Sequence, residues 1–93
     1  MIALFDRAVA AGTLVGQGSG NSAPGRLNTL RNMLLAARTL LEAGNVAAAC
    51  GQLLDAANRT DGLSPPPDFV QGAAAPQLFG AITTVRGDLG CVP

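Results

Sequence analysis

The sequence predicts an all-α protein, a small antiparallel four-helix bundle with a central helical hairpin and one disulfide. Three observations carry that expectation. Apolar residues recur at helical spacing in four segments, and no strand pattern appears anywhere. The stretch "LLEAGNVAAAC" places a helix stop and a helix start almost back to back. The chain holds two cysteines, which within one molecule can pair only with each other.

The elements follow in order, as helices over about 2–11, 23–43, 46–58 and 73–90 of a single domain spanning 1–93. The first helix sets Ile2, Phe5 and Val9 on one face. "GTLVGQGSGN" then reads as turn and loop, with four glycines in ten residues. The second helix is leucine-rich: Leu27, Leu30, Met33 or Leu34, Ala37, and Leu40 or Leu41 form its apolar stripe. Asn21 or Ser22 can accept a hydrogen bond from a first-turn amide, and Pro24 is tolerated in that turn. Gly44 ends the helix, because glycine takes the left-handed conformation favoured just past a helix end.

Asn45 caps the third helix, whose predicted buried stripe is Val46, Ala49 or Cys50, Leu53 and Ala57. So short a link forces helices two and three into an antiparallel hairpin. "TDGLSPPPDF" is a second loop, where Pro65, Pro66 and Pro67 favour an extended path. The fourth helix carries Leu78, Ile82, Val85 and Leu89 on its apolar stripe, with Phe79 beside it and Pro76 in the first turn. Gly80 and Gly87 weaken it, each by about 1 kcal/mol relative to alanine.

Composition excludes several functions. The apolar fraction is 48%, but much of it is alanine, so the core needs close helix approach. The three phenylalanines are expected to lie mostly in it. Net charge is zero, with six arginines and no lysine or histidine. Nucleic-acid binding calls for clustered basic residues and usually aromatic stacking platforms, and neither is present. No apolar run reaches the 18 residues or so that a membrane span requires. "MIALFDRAVAAG" resembles the hydrophobic part of a signal peptide only superficially: Asp6 and Arg7 interrupt it and no basic region precedes it. A secreted form would therefore have lost its leader or be one piece of a longer chain.

A Cys50–Cys91 bridge would close a loop of roughly 40 residues. In the chain-entropy account such a loop stabilises by about 4 kcal/mol, much of what holds a small domain together. It would pin the glycine-weakened fourth helix onto the hairpin and imply an oxidising compartment. The alternative is a pair of reduced core thiols in the cytosol. Zinc would need two further ligands from a chain with no histidine, and a nucleophilic cysteine would lack its base.

No catalytic residue and no metal site is expected. Without His, Lys or Tyr, acid–base chemistry falls to Asp6, Glu42, Asp55, Asp61, Asp68 and Asp88, which are dispersed. Asn58, Asp61 and Asp68 are candidate calcium ligands by residue type, but their spacing fails the EF-hand pattern, and Asp68 reads better as a turn cap. "GQGSGN" opens onto a helix, yet lacks the preceding strand and the lysine of a phosphate loop. Arg31 and Arg38 share a face of the second helix and, with Arg26, form a candidate patch for an anion or a partner. With Pro65, Pro66 and Pro67, Arg31 and Arg38 are the candidate partner-binding residues. Tryptophan and tyrosine are absent, which counts against a sugar-binding face.

The run from Ala8 to Arg59 is similar to the small FIMAH-type helical domain appended to many large secreted bacterial proteins. The elements that carry the resemblance are Gly12, Gly20-Asn21, Leu27/Leu30/Leu34, Gly44-Asn45, and Ala48-Ala49 followed by Leu53. Leu78 to Leu89 stands where that family places its closing helix. The proline-rich loop and the cysteine pair depart from its simplest members. The resemblance implies a secreted, non-catalytic accessory domain, and it carries over no binding residues.

Together these readings predict an extracytoplasmic bacterial module that is not an enzyme. It would need no cofactor and serve interaction or attachment, with a protein partner or its parent polypeptide as the target. The alternative is a structural subunit that self-associates through the alanine-rich faces "AVAA", "VAAAC" and "GAAAP".

Overall fold

The computed structural model describes residues 1–62 and 68–91. It is mostly helical: α1 (Ile2–Ala11), α2 (Ser22–Glu42), α3 (Val46–Asn58) and α4 (Ala75–Asp88). Two short strands, β1 (Val15–Gly16) and β2 (Val70–Gln71), pair antiparallel, with Val15 opposite Gln71 and Gly16 opposite Val70. These strands correct the expectation that none exists. Two residues are too few to show a period-2 pattern, and the pairing joins segments far apart in the chain.

The corner between α2 and α3 forms as its sequence requires. Gly44 adopts φ 79°, and the amides of Gly44 and Asn45 donate to the carbonyls of Leu41 and Leu40. Those bonds satisfy carbonyls that the helix end would otherwise leave open. Asn45 and Asn21 hold the residue positions before α3 and α2, but neither side chain makes a capping hydrogen bond. Ser22 instead donates to the Ser19 carbonyl.

α2 and α3 pack against each other more extensively than any other pair of elements. Ala37, Ala49 and Ala56 are wholly buried, so the small side chains let these backbones approach. Phe5, Leu14, Leu30, Leu34, Leu53, Val70, Leu78 and Ile82 fill the rest of the core. Leu34, not Met33, is the fully buried member of its pair, and Ala49 lies deeper than Cys50. Val46 departs from the predicted stripe at 40% exposure, because it is the first residue of α3, at the corner itself. Of the phenylalanines only Phe5 is fully in the core; Phe69 and Phe79 are partly buried and flank surface recesses.

α4 is shorter at each end than its apolar pattern predicts. At its start the Ala74 amide leaves the helical path to donate to the Thr13 carbonyl at 3.0 Å. At its end Gly90 turns left-handed at φ 73°, and the Cys91 amide donates to the Arg86 carbonyl at 2.9 Å. The Cys50–Cys91 disulfide then joins α3 to the segment after α4, with Cα atoms 5.6 Å apart. Among the described residues no helix is long and apolar enough to cross a membrane.

Candidate functional site

A recess of about 470 Å³ opens beside β2 at the start of α4. Its walls come from four places in the sequence: Gln17 after β1, Thr60 to Gly62 after α3, Asp68 and Val70 to Gly72 around β2, and Ala75, Pro76 and Phe79 of α4. Backbone hydrogen bonds draw these segments together. The Gln17 amide donates to the Phe69 carbonyl, and the Phe69 amide donates to the Arg59 carbonyl, both at 2.9 Å.

Two glycines make that assembly possible. A Cβ at Gly16 would overlap the Ala23 backbone of α2, and a Cβ at Gly72 would run into the Thr13 carbonyl. Gly72 also has φ 117°, a region that L side chains rarely adopt. The strand pair can therefore lie close to α2 and to the turn after α1 only because these positions lack side chains.

Asp68 is the chemically distinctive group in the recess. It is only 9% exposed. Its Oδ2 accepts a hydrogen bond from the Gly62 amide at 2.8 Å, which bears out the reading of Asp68 as a turn cap. Its Oδ1 is buried and has no hydrogen-bond partner among the described residues. Burial raises the Asp68 carboxyl above the ordinary carboxylate range, and the neighbouring Asp61 adds to that, while Gly62 and Arg59 pull it down. Thr60 is buried, and its hydroxyl turns back onto the Ala56 and Ala57 carbonyls. Val70, Ala75, Pro76 and Phe79 contribute apolar lining to the same recess.

The arginines that the sequence singles out do other work. Arg31 grips Asp6 of α1 through two hydrogen bonds, Nε to Oδ1 at 2.8 Å and Nη2 to Oδ2 at 2.9 Å. The Arg31 hydrogen bond holds the Asp6 carboxyl below its usual range. Arg38 lies on the exposed surface of α2 with Glu42 one turn on, at 3.8 Å. Arg26 donates to the Gln17 carbonyl at 3.1 Å and so fastens the turn after β1. Each of the three thus engages a different partner. Pro65, Pro66 and Pro67 lie outside the described residues.

Of the three candidate calcium ligands, Asp61 and Asp68 share the recess, whereas Asn58 lines a neighbouring one with Met33, Asp55, Arg59 and Phe69. There the Arg59 guanidinium sits 4.5 Å from the Phe69 ring centroid. A third groove, of about 440 Å³, runs beside the disulfide between α3 and the end of α4. Sequence reasoning did not find the roles of Gln17, Gln71 and Phe79. The one local signal was the density of glycines after α1, which marks a turn without saying what it packs against. No protein-family model, curated protein or solved structure matches this chain.

Proposed function

We propose that this chain is a non-catalytic interaction or attachment module, a disulfide-stapled four-helix bundle carried by a larger secreted bacterial protein. The observation that carries this reading is the recess at the start of α4, a preformed cleft lined by both carboxylate-bearing and apolar residues. The absence of His, Lys and Tyr leaves it without a general base other than a carboxylate. The disulfide supports an oxidising compartment. The Gly44–Asn45 corner between two packed helices supports the likeness to FIMAH-type accessory domains.

The test is co-sedimentation of the oxidised protein with bacterial cell-envelope fractions, and titration against the remainder of its parent polypeptide. Saturable binding to either, competed by unlabelled protein, is the expected result. No binding to both would sink the reading.

One observation favours self-association as a second reading. Val46 and Leu54 are 40% and 36% exposed and border the groove beside the disulfide, with Ala47 and Gly51. Sedimentation velocity decides it: a mass that stays monomeric as concentration rises removes this reading.

A further inference from the structure

We propose that the recess beside β2 receives a basic side chain, arginine or lysine, from a partner polypeptide. The inference rests on the reading of the chain as an interaction module and names the chemistry of what it binds.

Three features converge on a cation carried on an apolar stem. Asp61 and Asp68 both line the recess, and among the described residues none that lines it is basic. The guanidinium that acts on Asp68 is that of Arg59, which lies over the Phe69 ring. Asp68 is nine-tenths buried, yet only one of its oxygens is engaged: Oδ2 accepts from Gly62, and Oδ1 has no hydrogen-bond partner among the described residues. A buried carboxylate oxygen without a donor is costly, and a charged N–H donor is what relieves it most. Pro76 and Phe79 in the same lining offer apolar surface for the methylene stem, as basic side chains bury their stems beside a charged head.

A hard divalent ion fits less well. Calcium takes six to eight oxygens, and here Asp68 Oδ2 is already held by an amide. An alkylguanidinium or alkylammonium group needs only the two carboxylates and the apolar wall.

Binding should depend on pH in a stated direction. Burial and Asp61 raise the Asp68 carboxyl, while Gly62 and Arg59 lower it. Protonation of Asp68 removes the acceptor charge, so affinity falls as pH drops through that raised value.

The experiment is a ¹H–¹⁵N NMR titration of the oxidised 93-residue protein. The probes are acetyl-Gly-Arg-Gly-amide, its lysine counterpart and its norleucine counterpart, with agmatine and calcium chloride as separate arms. Saturable shifts of the Gly62, Gln71 and Gly72 amides are expected with the arginine and lysine peptides, and none with norleucine. Asp68→Asn should weaken the arginine peptide about tenfold, the scale of one charge-assisted hydrogen bond. Asp61→Asn should weaken it as well and serves if the first variant loses its dispersed spectrum. Asp88→Asn should change nothing.

Equal shifts from norleucine, equal loss in Asp88→Asn, or tighter occupation by calcium would each overturn the proposal. So would agmatine binding as tightly as the peptide, since the site would then be one for free amines. If the protein binds envelope or parent but Asp68→Asn and Asp61→Asn bind as well as wild type, the recess assignment falls and the module stands. If the peptides bind and neither envelope nor parent does, the module reading falls instead.

Discussion

The two ends of α4 are held in different ways. Its C-terminal end is fastened covalently, through Cys91 to Cys50 of α3. Its N-terminal end is fastened by backbone contacts: Ala74 donates to Thr13, Gly72 closes onto the same carbonyl, and β2 pairs with β1. Between them the helix is weak by itself, with Gly80 and Gly87 in its interior and no side-chain cap. An element with little intrinsic helix preference has been pinned at both ends. The N-terminal pin also shapes the recess, whereas the C-terminal one adds stability without building that site.

The contrast can be broken at either end. The largest effect is expected from Cys50→Ser with Cys91→Ser, or from reduction, because the bridge closes a loop of 41 residues. The loss should be about 4 kcal/mol in urea unfolding under the chain-entropy account. Hydrogen exchange should quicken first at Leu89 and Cys91, while Ala74 and Leu78 remain protected. Unchanged stability after reduction would show that packing alone secures α4.

Gly72→Ala attacks the other end. A side chain there meets the Thr13 carbonyl at a φ of 117°, so a loss of about 2–3 kcal/mol is expected. Exchange at Ala74 should quicken while Cys91 keeps its protection, the reverse of the disulfide variant. If both variants loosen the same amides, the two ends form one cooperative unit and the comparison fails.

A smaller effect belongs to the rim of the neighbouring recess. Phe69→Leu removes the ring beneath Arg59, and should cost about 0.5–1 kcal/mol at this partly exposed site, read as a shift of the urea midpoint.

The smallest effects separate two carboxylates by sign. Asp6 is lowered, chiefly by its hydrogen bond from Arg31. Its contribution is therefore present above the ordinary value of 3.8 and is lost as pH falls through the depressed one. Asp68 is raised, chiefly by burial, so its ionisation works against folding. Stability linked to it is fullest below 3.8 and declines as pH rises through the raised value. Asp6→Asn should flatten the acid limb of a stability–pH curve and respond to added salt, since the pair is exposed. Asp68→Asn should raise the urea midpoint near neutral pH. Loss of stability there would mean that the Gly62 hydrogen bond needs the full carboxylate charge.

Legibility differs just as sharply between the hairpin and the loop end. The α2–α3 corner was written in two adjacent residues, Gly44 and Asn45, and the leucine spacing fixed which faces meet. Which cysteines could pair followed from there being only two of them; that they are bonded came from the structure. By contrast, Arg31 read as part of a candidate partner-binding patch, and only the packing of α1 against α2 brings Asp6 to it. Gly16 read only as one of four glycines in a loop stretch, and Gly72 was not singled out; their necessity comes from the Ala23 backbone and the Thr13 carbonyl. Asp68 was read as a turn cap, and Gly62 bears that out. What the cap conceals is that its second oxygen is buried.

By itself, then, the sequence determined the four helices to within a few residues, the hairpin corner and the cysteine pairing. Each depends on local backbone preference, apolar period or simple counting. Only the tertiary structure decided the β1–β2 pairing, the Arg31–Asp6 grip and the recess that joins Gln17, Asp61, Asp68, Gln71 and Phe79. The reason is physical: those features arise from close approach between segments far apart along the chain, where steric fit and burial decide and local propensity is silent.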